Sequence, residues 1–384
     1  MITTLALIGV FFAYGLINYF LGRLAWHGIF KHLSHSNRWV FWLLFWLTSW
    51  AFVIVRIGNE FLPSSVQLVL SWLGGYWLAA LYYLILILLV IGLLKVLDKR
   101  LRFLPSWFRF QPNKVNPLAV GVLVLMVAVL TYGTWNAHNP WVNSYQINID
   151  KQSNLSPLHV VMVSDTHLGK IVDDDRLQVM VDMINELQPD IVLLAGDVVD
   201  SDISLFTEQR VTDVFKELQP PLGVFAVLGN HEHINGHVQE TVENLEAANV
   251  QVLIDETVKI ADSFYVVGRN DLSSTYTTGQ PRKPLTELVK ELDKGLPIIL
   301  LDHQPYNLAE ADQLGVDLQL SGHTHRGQIF PNHLITQRIF EVDWGYLAKD
   351  NLQVIVSNGF GTWGPPIRLG NRPEIVDIKI TFKK

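Results

Sequence analysis

Five short segments concentrate the side chains able to bind metals and move protons. They are Asp165-Thr166-His167, Gly196-Asp197-Val198-Val199-Asp200, Gly229-Asn230-His231-Glu232, Asp302-His303 and Gly322-His323-Thr324-His325. Together they offer carboxylate, imidazole and amide donors. That mixture suits manganese, iron or zinc better than magnesium, which prefers oxygen ligands alone. Two such ions roughly 3.5–4 Å apart acidify a bridging water and clamp the attacking and leaving oxygens of a phosphoryl group. Hydrolysis of a phosphate ester at neutral pH needs both effects, and a pair of ions takes roughly seven protein ligands, one of them shared. Any one segment alone says little, because Asp at a strand end often caps the next helix and a lone His is usually a core or surface residue. The weight lies in the combination.

Each segment directly follows an apolar run that reads as a buried strand, at 159–163, 191–195, 224–228, 298–301 and 318–320. Loops at the carboxyl ends of strands converge on one crevice in an open α/β sheet, so five distant segments can meet. Helices are expected near 173–187, 204–218, 238–248, 285–294 and 306–314, with Pro189-Asp190 and Gly223 marking returns to strands. Asp173, Asp174 and Asp175 open the first of these helices, where the dipole favours acids. Further strands fall at 252–268, 353–357 and 375–382, with no helix expected between 327 and 384. This order predicts a mixed, layered α/β sandwich rather than a purely parallel sheet. His233, His237 and His333 read as surface residues.

Charge divides the chain. Residues 1–137 hold only Glu60 and Asp98 against ten Lys and Arg, and residues 138–384 hold 34 acids against 19 bases, so the net −7 joins a +8 part to a −15 part. Four apolar stretches near 2–21, 39–56, 71–94 and 116–136 are long enough to cross a bilayer, which takes roughly 20 helical residues. No Lys or Arg precedes the first, so it does not read as a cleavable signal. The expected organisation is a transmembrane domain at 1–137, a tether at 138–157 with a short strand at 145–149, and an α/β domain at 158–384.

The first loop between spans carries Arg23, Lys31 and Arg38. The second has Arg56 and Glu60, and the third has Lys95, Lys99, Arg100, Arg102, Arg109 and Lys114. Basic loops stay in the cytoplasm. Both termini then lie outside, and the expected location is a multi-pass inner or plasma membrane protein with an extracytoplasmic α/β domain. Trp39, Trp42, Trp46 and Trp50 predict a lipid-facing or interfacial stripe, and His27, His32 and His35 a solvated loop. The acidic half argues against a nucleic-acid partner, and no protein partner can be inferred. Without cysteine there is no disulfide, thiol catalysis or zinc–thiolate site.

The five segments resemble the calcineurin-like metallophosphoesterase superfamily, whose pattern is D-x-H, G-D-x-x-D, G-N-H-[ED], H and G-H-x-H in that order. The resemblance covers roughly residues 140–384 and implies a four-layered α/β/β/α sandwich. It implies that Asp165, His167 and His325 bind one metal and that Asn230, His303 and His323 bind a second, with Asp197 bridging them. It further implies that His231 stabilises phosphoryl charge or protonates the leaving group, oriented by Asp200. Manganese is the first choice of metal, with iron or zinc as alternatives. Ser164-Asp165-Thr166-His167-Leu168-Gly169, Gly327-Gln328-Ile329 and residues 359–370 look like the membrane-anchored bacterial branch, which includes phosphodiesterases and relatives of the UDP-2,3-diacylglucosamine hydrolases.

Arg326, where many members have glycine, reads equally as a residue that binds a second phosphate or a lipid headgroup and as an exposed surface arginine, and Arg368 is a similar candidate. The activity this implies is hydrolysis of a phosphomonoester or phosphodiester by metal-bound hydroxide, with a membrane lipid or lipid-linked envelope precursor as substrate. Alternatives are a nucleotide-sugar-lipid pyrophosphatase resembling the UDP-2,3-diacylglucosamine hydrolases, or a non-catalytic sensor retaining the fold. Degenerate relatives lose ligands, and all seven positions are filled here, which favours an enzyme.

Overall fold

A computed structural model of the chain describes residues 2–31, 34–58, 61–105, 115–200 and 210–383. It forms two compact units, Met1–Gly133 with Gly364–Pro366, and Thr134–Trp363 with Ile367–Lys384. His32, Glu60, Arg109, Lys114 and the start of the helix expected near 204–218 lie outside the described residues.

The first unit is built from α1 (Ile2–Ala25), α2 (His35–Gly58), α3 (Ser64–Leu101) and most of α4 (Pro117–Ala137), each long and apolar enough to cross a membrane. Gly74-Gly75 does not interrupt α3. A Cβ at Gly74 would stand 2.4 Å from the Phe52 backbone nitrogen, so glycine is what lets α2 and α3 approach this closely. The 38 residues of α3 rise about 57 Å, well beyond a hydrocarbon core of about 30 Å. Lys95, Lys99 and Arg100 therefore ride on the end of this helix rather than in a loop. The tryptophan stripe of α2 differs from expectation. Trp39 is exposed, but Trp42 stacks on Tyr19 at 5.9 Å, and Trp50 meets Tyr14 edge-on at 5.4 Å, so much of the stripe packs on α1.

In the second unit, strands β1 (Trp141–Gln152), β2 (Leu158–Val163), β3 (Ile191–Ala195), β4 (Val224–Val227) and β5 (Val250–Val252) precede β6 (Glu256–Ile260), β7 (Phe264–Gly268) and β8 (Ile298–Leu301). Then come β9 (Leu318–Ser321), β10 (Gly345–Lys349), β11 (Leu352–Val356) and β12 (Glu374–Lys383). They form two six-stranded mixed sheets, ordered β1-β12-β2-β3-β4-β5 and β10-β11-β9-β8-β7-β6. Strand alternation explains the layering, because successive side chains point to opposite faces. Val160, Met162 and Leu193 enter the core between the sheets together with Ile299, Leu301 and Ile355. Val161, Val163 and Leu194 face α5 (Asp174–Leu187) and its neighbours, with Leu177, Met180 and Ile184. On the far side, Ile298 and Leu300 pack with Leu285, Val289 and Leu308 from short helices. The result is the expected α/β/β/α sandwich.

Four features depart from expectation. Residues 138–157 are not a simple tether, because β1 runs for 12 residues parallel to β12 and buries Ile147 and Ile149. A helix, His333–Ile339, occurs where none was expected, and β10 was not foreseen. His233 is buried, with Nε2 2.7 Å from Asn270 Oδ1. As expected, Asp173 caps α5, accepting from the Arg176 amide at 3.1 Å.

Candidate metal centre

The three parallel strands β2, β3 and β4 and the parallel pair β8 and β9 end at the five motif segments. Asp165 and His167 follow β2, Asp197 and Asp200 follow β3, and Asn230 and His231 follow β4. His303 follows β8, and His323 and His325 follow β9. The tertiary structure draws all nine into one place, with metal-sized groupings of Asp165, His167 and His325, of Asp197, His303 and His323, and of His167, Asp200 and His231.

The backbone there is unusual. Asp165, His167, Asp197, His323 and His325 all have φ between 45° and 70°, a left-handed conformation that non-glycine residues seldom adopt and that costs on the order of 1–3 kcal/mol each. The motif glycines serve close approach. A Cβ on Gly229 would lie 2.1 Å from Asp197 Oδ1, and one on Gly322 would lie 2.3 Å from Asp165 Oδ2.

The atoms facing one another are mostly acceptors. His303 Nδ1 donates to the Ala195 carbonyl at 2.8 Å, which turns Nε2 towards Asp197 Oδ2 at 3.1 Å. His167 Nε2 and His325 Nε2 stand 2.9 Å apart, with Asp165 Oδ1 3.3 Å from the latter and Asp197 Oδ2 3.8 Å from the former. His323 Nδ1 is 2.7 Å from Asn230 Oδ1. Positive charge between these groups, as a proton or a cation, is what such contacts require. Asp197 Oδ2 lies between the two nitrogen clusters, and the donor set therefore fits a pair of divalent ions.

Proton affinities follow the same crowding. Burial pushes the Asp197 carboxyl up, but the His303 and His167 charges outweigh it and hold the group well below the carboxylate range. Burial lowers His303, yet Asp197 raises it well above an ordinary histidine. His325 falls well below through burial and through the charges of His167 and Arg368, and burial also lowers His167 and His323. His231 differs: burial lowers it, but its 2.9 Å contact with Asp200 and the nearby Asp197 charge raise it overall.

Several supporting residues escaped the motif reading. Glu232 accepts from the Val199 and Gly229 amides at 2.9 and 2.7 Å, tying two motif loops together, and burial raises its carboxyl to about 7. Asp302 is clamped by Arg282 at 2.8 Å and Arg269 at 3.2 Å. Only the local G-N-H-E spelling marked Glu232, and nothing local marked either arginine. Of the two candidate arginines, Arg326 is half-buried and Arg368 is withdrawn from substrate. The Arg326 guanidinium lies 4.1 Å over the Trp344 ring. Arg368 is fully buried, donating to Gly361, Asn358 and Asn371, with Nη2 3.3 Å from His325 Nδ1. It braces the loop beneath the centre.

Comparison with known proteins agrees with this geometry. Residues 158–327 match the calcineurin-like phosphoesterase family. A metallophosphoesterase of Aquifex aeolicus is 35% identical over 245 residues, covering 63% of this chain and 92% of the relative. A zebrafish transmembrane protein with a metallophosphoesterase domain is 31% identical over 327 residues, covering 80% of this chain and 73% of the relative. Among solved structures, a 5′-nucleotidase precursor from Thermus thermophilus superimposes with a TM-score of 0.37 at 18% identity, covering 58% of this chain and 55% of that one. With seven ligand-type side chains at the carboxyl ends of strands from both sheets and relatives that extend into the apolar helices, the chain belongs to the calcineurin-like metallophosphoesterases, metal-dependent hydrolases of phosphoric esters.

Proposed function

We propose that the chain is an integral-membrane phosphohydrolase acting on a phosphomonoester or phosphodiester carried by a membrane lipid or lipid-linked precursor. Asp165, His167 and His325 would hold one divalent ion, Asn230, His303 and His323 the other, and Asp197 both. Manganese is the preferred metal, given the mixed nitrogen and oxygen donors. Bound there, the ions would supply an acidified water and neutralise phosphoryl charge. The chain's own residues do the rest. Asp197 would offset the repulsion between two cations held there. His231, with Nδ1 turned to Asp200, carries the transferable proton on Nε2 and gives it to the departing alcohol oxygen. Asp200 fixes that ring and favours its charged form.

The observation that carries this reading is the convergence of acceptor atoms at 2.9 and 3.1 Å around Asp197 and His167. Support for a lipid-linked substrate comes from chain connectivity. Residues 138–140 alone separate α4 from β1, and three residues reach at most about 11 Å. The basic residues flanking α1, α2 and the end of α3 favour an extracytoplasmic α/β unit in a cell membrane. Purified Asp197→Asn protein should lose both manganese and cleavage of a chromogenic phosphodiester. Full turnover by that variant would refute the bridging assignment.

A further inference from the structure

We propose that the helix His333–Ile339, together with Phe330 and Trp363, forms a surface that docks onto the lipid bilayer at headgroup level. The helix has no buried residue. Leu334, Ile335 and Ile339 are each more than half exposed, as are Phe330 and Trp363. Leu334, Ile335, Arg338 and Ile339 share one helical face, and such a mixture of apolar side chains with a basic one suits the boundary between acyl chains and headgroups.

Phe330 and Trp363, which flank this helix in sequence, belong to one hydrogen-bonded plate. The Phe330 amide donates to the Leu369 carbonyl at 2.8 Å, and Leu369 donates back to Gln328 at 3.1 Å. The Gln328 amide pairs with both the N–H and the carbonyl of Trp363, at 2.8 and 3.0 Å. The occupant is identified by what else holds this plate. Asn136, on the last turn of α4, donates to the Arg368 and Asn371 carbonyls at 3.0 and 2.6 Å. Its neighbour Trp135 is exposed, the aromatic type that settles at a membrane interface. The apolar run of α4 ends here, at Ala137, so the loop of residues 367–371 is bonded to the point where the chain leaves the hydrocarbon. A lipid surface is therefore the partner nearest to hand.

The plate also frames the metal centre. The Trp363 ring is 6.1 Å from the His231 ring, and Phe340, which ends the exposed helix, is 5.9 Å from His323. A phosphoester at headgroup level would enter between them without leaving the membrane. The inference rests on α4 crossing the bilayer. It draws on the lipid-substrate reading only for this last consequence.

Because the chain has no cysteine, single thiols can report on it. The full chain carrying Ile335→Cys, Gln337→Cys or Glu291→Cys, each labelled with one fluorophore, would be reconstituted into phosphatidylcholine–phosphatidylglycerol vesicles. Gln337 lies on the opposite side of the helix from Ile335, and Glu291 precedes β8 at the end away from His303. Nitroxide-bearing lipid should quench the Ile335→Cys label strongly, and aqueous iodide should quench it severalfold less than the other two. Equal iodide quenching at Ile335→Cys and Glu291→Cys, without lipid quenching, overturns the docking surface. Neither readout requires turnover, so a chain that cleaves no lipid would refute the substrate reading while leaving this answer intact.

Discussion

His231 and Asp197 sit one hydrogen bond apart, the His231 amide donating to Asp197 Oδ1 at 2.8 Å, yet their roles separate cleanly. Asp197 is a charge that the clustered nitrogens require. The His231 side chain turns instead to Asp200, at 2.9 Å, and stands ready as an acid. His231→Ala should therefore lower kcat by about 10²–10⁴-fold, the range for losing general acid catalysis, while metal content measured by elemental analysis stays unchanged. Loss of metal in that variant would mean that His231 is a ligand.

Glu374 allows a test of a buried group away from the centre. Burial raises its carboxyl despite bonds from the Asn358 amide, Asn143 and Trp344. A raised folded-state pKa makes ionisation costly, so the stability associated with Glu374 is present below the ordinary carboxylate value of about 4.3 and is lost as pH rises through the folded value. Relative to wild type, Glu374→Gln should gain stability between mildly acidic and neutral pH, read from denaturant midpoints. A pH-independent difference would show that Glu374 ionises freely in the fold.

At the scale of elements, β1 decides where the catalytic unit begins. Reading 138–157 as a tether would start a soluble fragment at residue 158. Such a fragment lacks β1, bares the edge of β12 and removes the burial of Ile147 and Ile149, a loss of about 3–6 kcal/mol from those two side chains. It should aggregate, whereas a fragment beginning at Thr134 should fold and melt cooperatively. The error had a physical origin. β1 reads WVNSYQINIDKQ, polar at alternate positions as an edge strand should be, but its partner lies more than 200 residues away and leaves no local mark. The helix His333–Ile339 was missed for a related reason, since seven residues with an exposed apolar face show no core-directed periodicity.

At the scale of the molecule, four helices long enough to cross a membrane are joined to an acidic α/β unit through only three residues outside regular structure, 138–140. An even number of spans together with the basic residues predicts that both termini lie on the same, extracytoplasmic side. A phosphatase reporter that folds only outside the cytoplasm, fused after Lys384, should be active. An active cytoplasm-only reporter there would reverse the orientation.

The identity of the ligand-type residues was legible in the sequence, because each sits directly after a short apolar strand, and strand followed by loop is a local pattern. The helical spans were legible too, since length and hydropathy are local properties. Tertiary structure alone decided which atoms face one another around Asp197, that Arg368 is a buried brace rather than a phosphate arm, and that β1 closes a sheet. Those outcomes depend on contacts between segments far apart in the chain. Their energies arise only once the two sheets have packed, and no stretch of residues encodes them by itself.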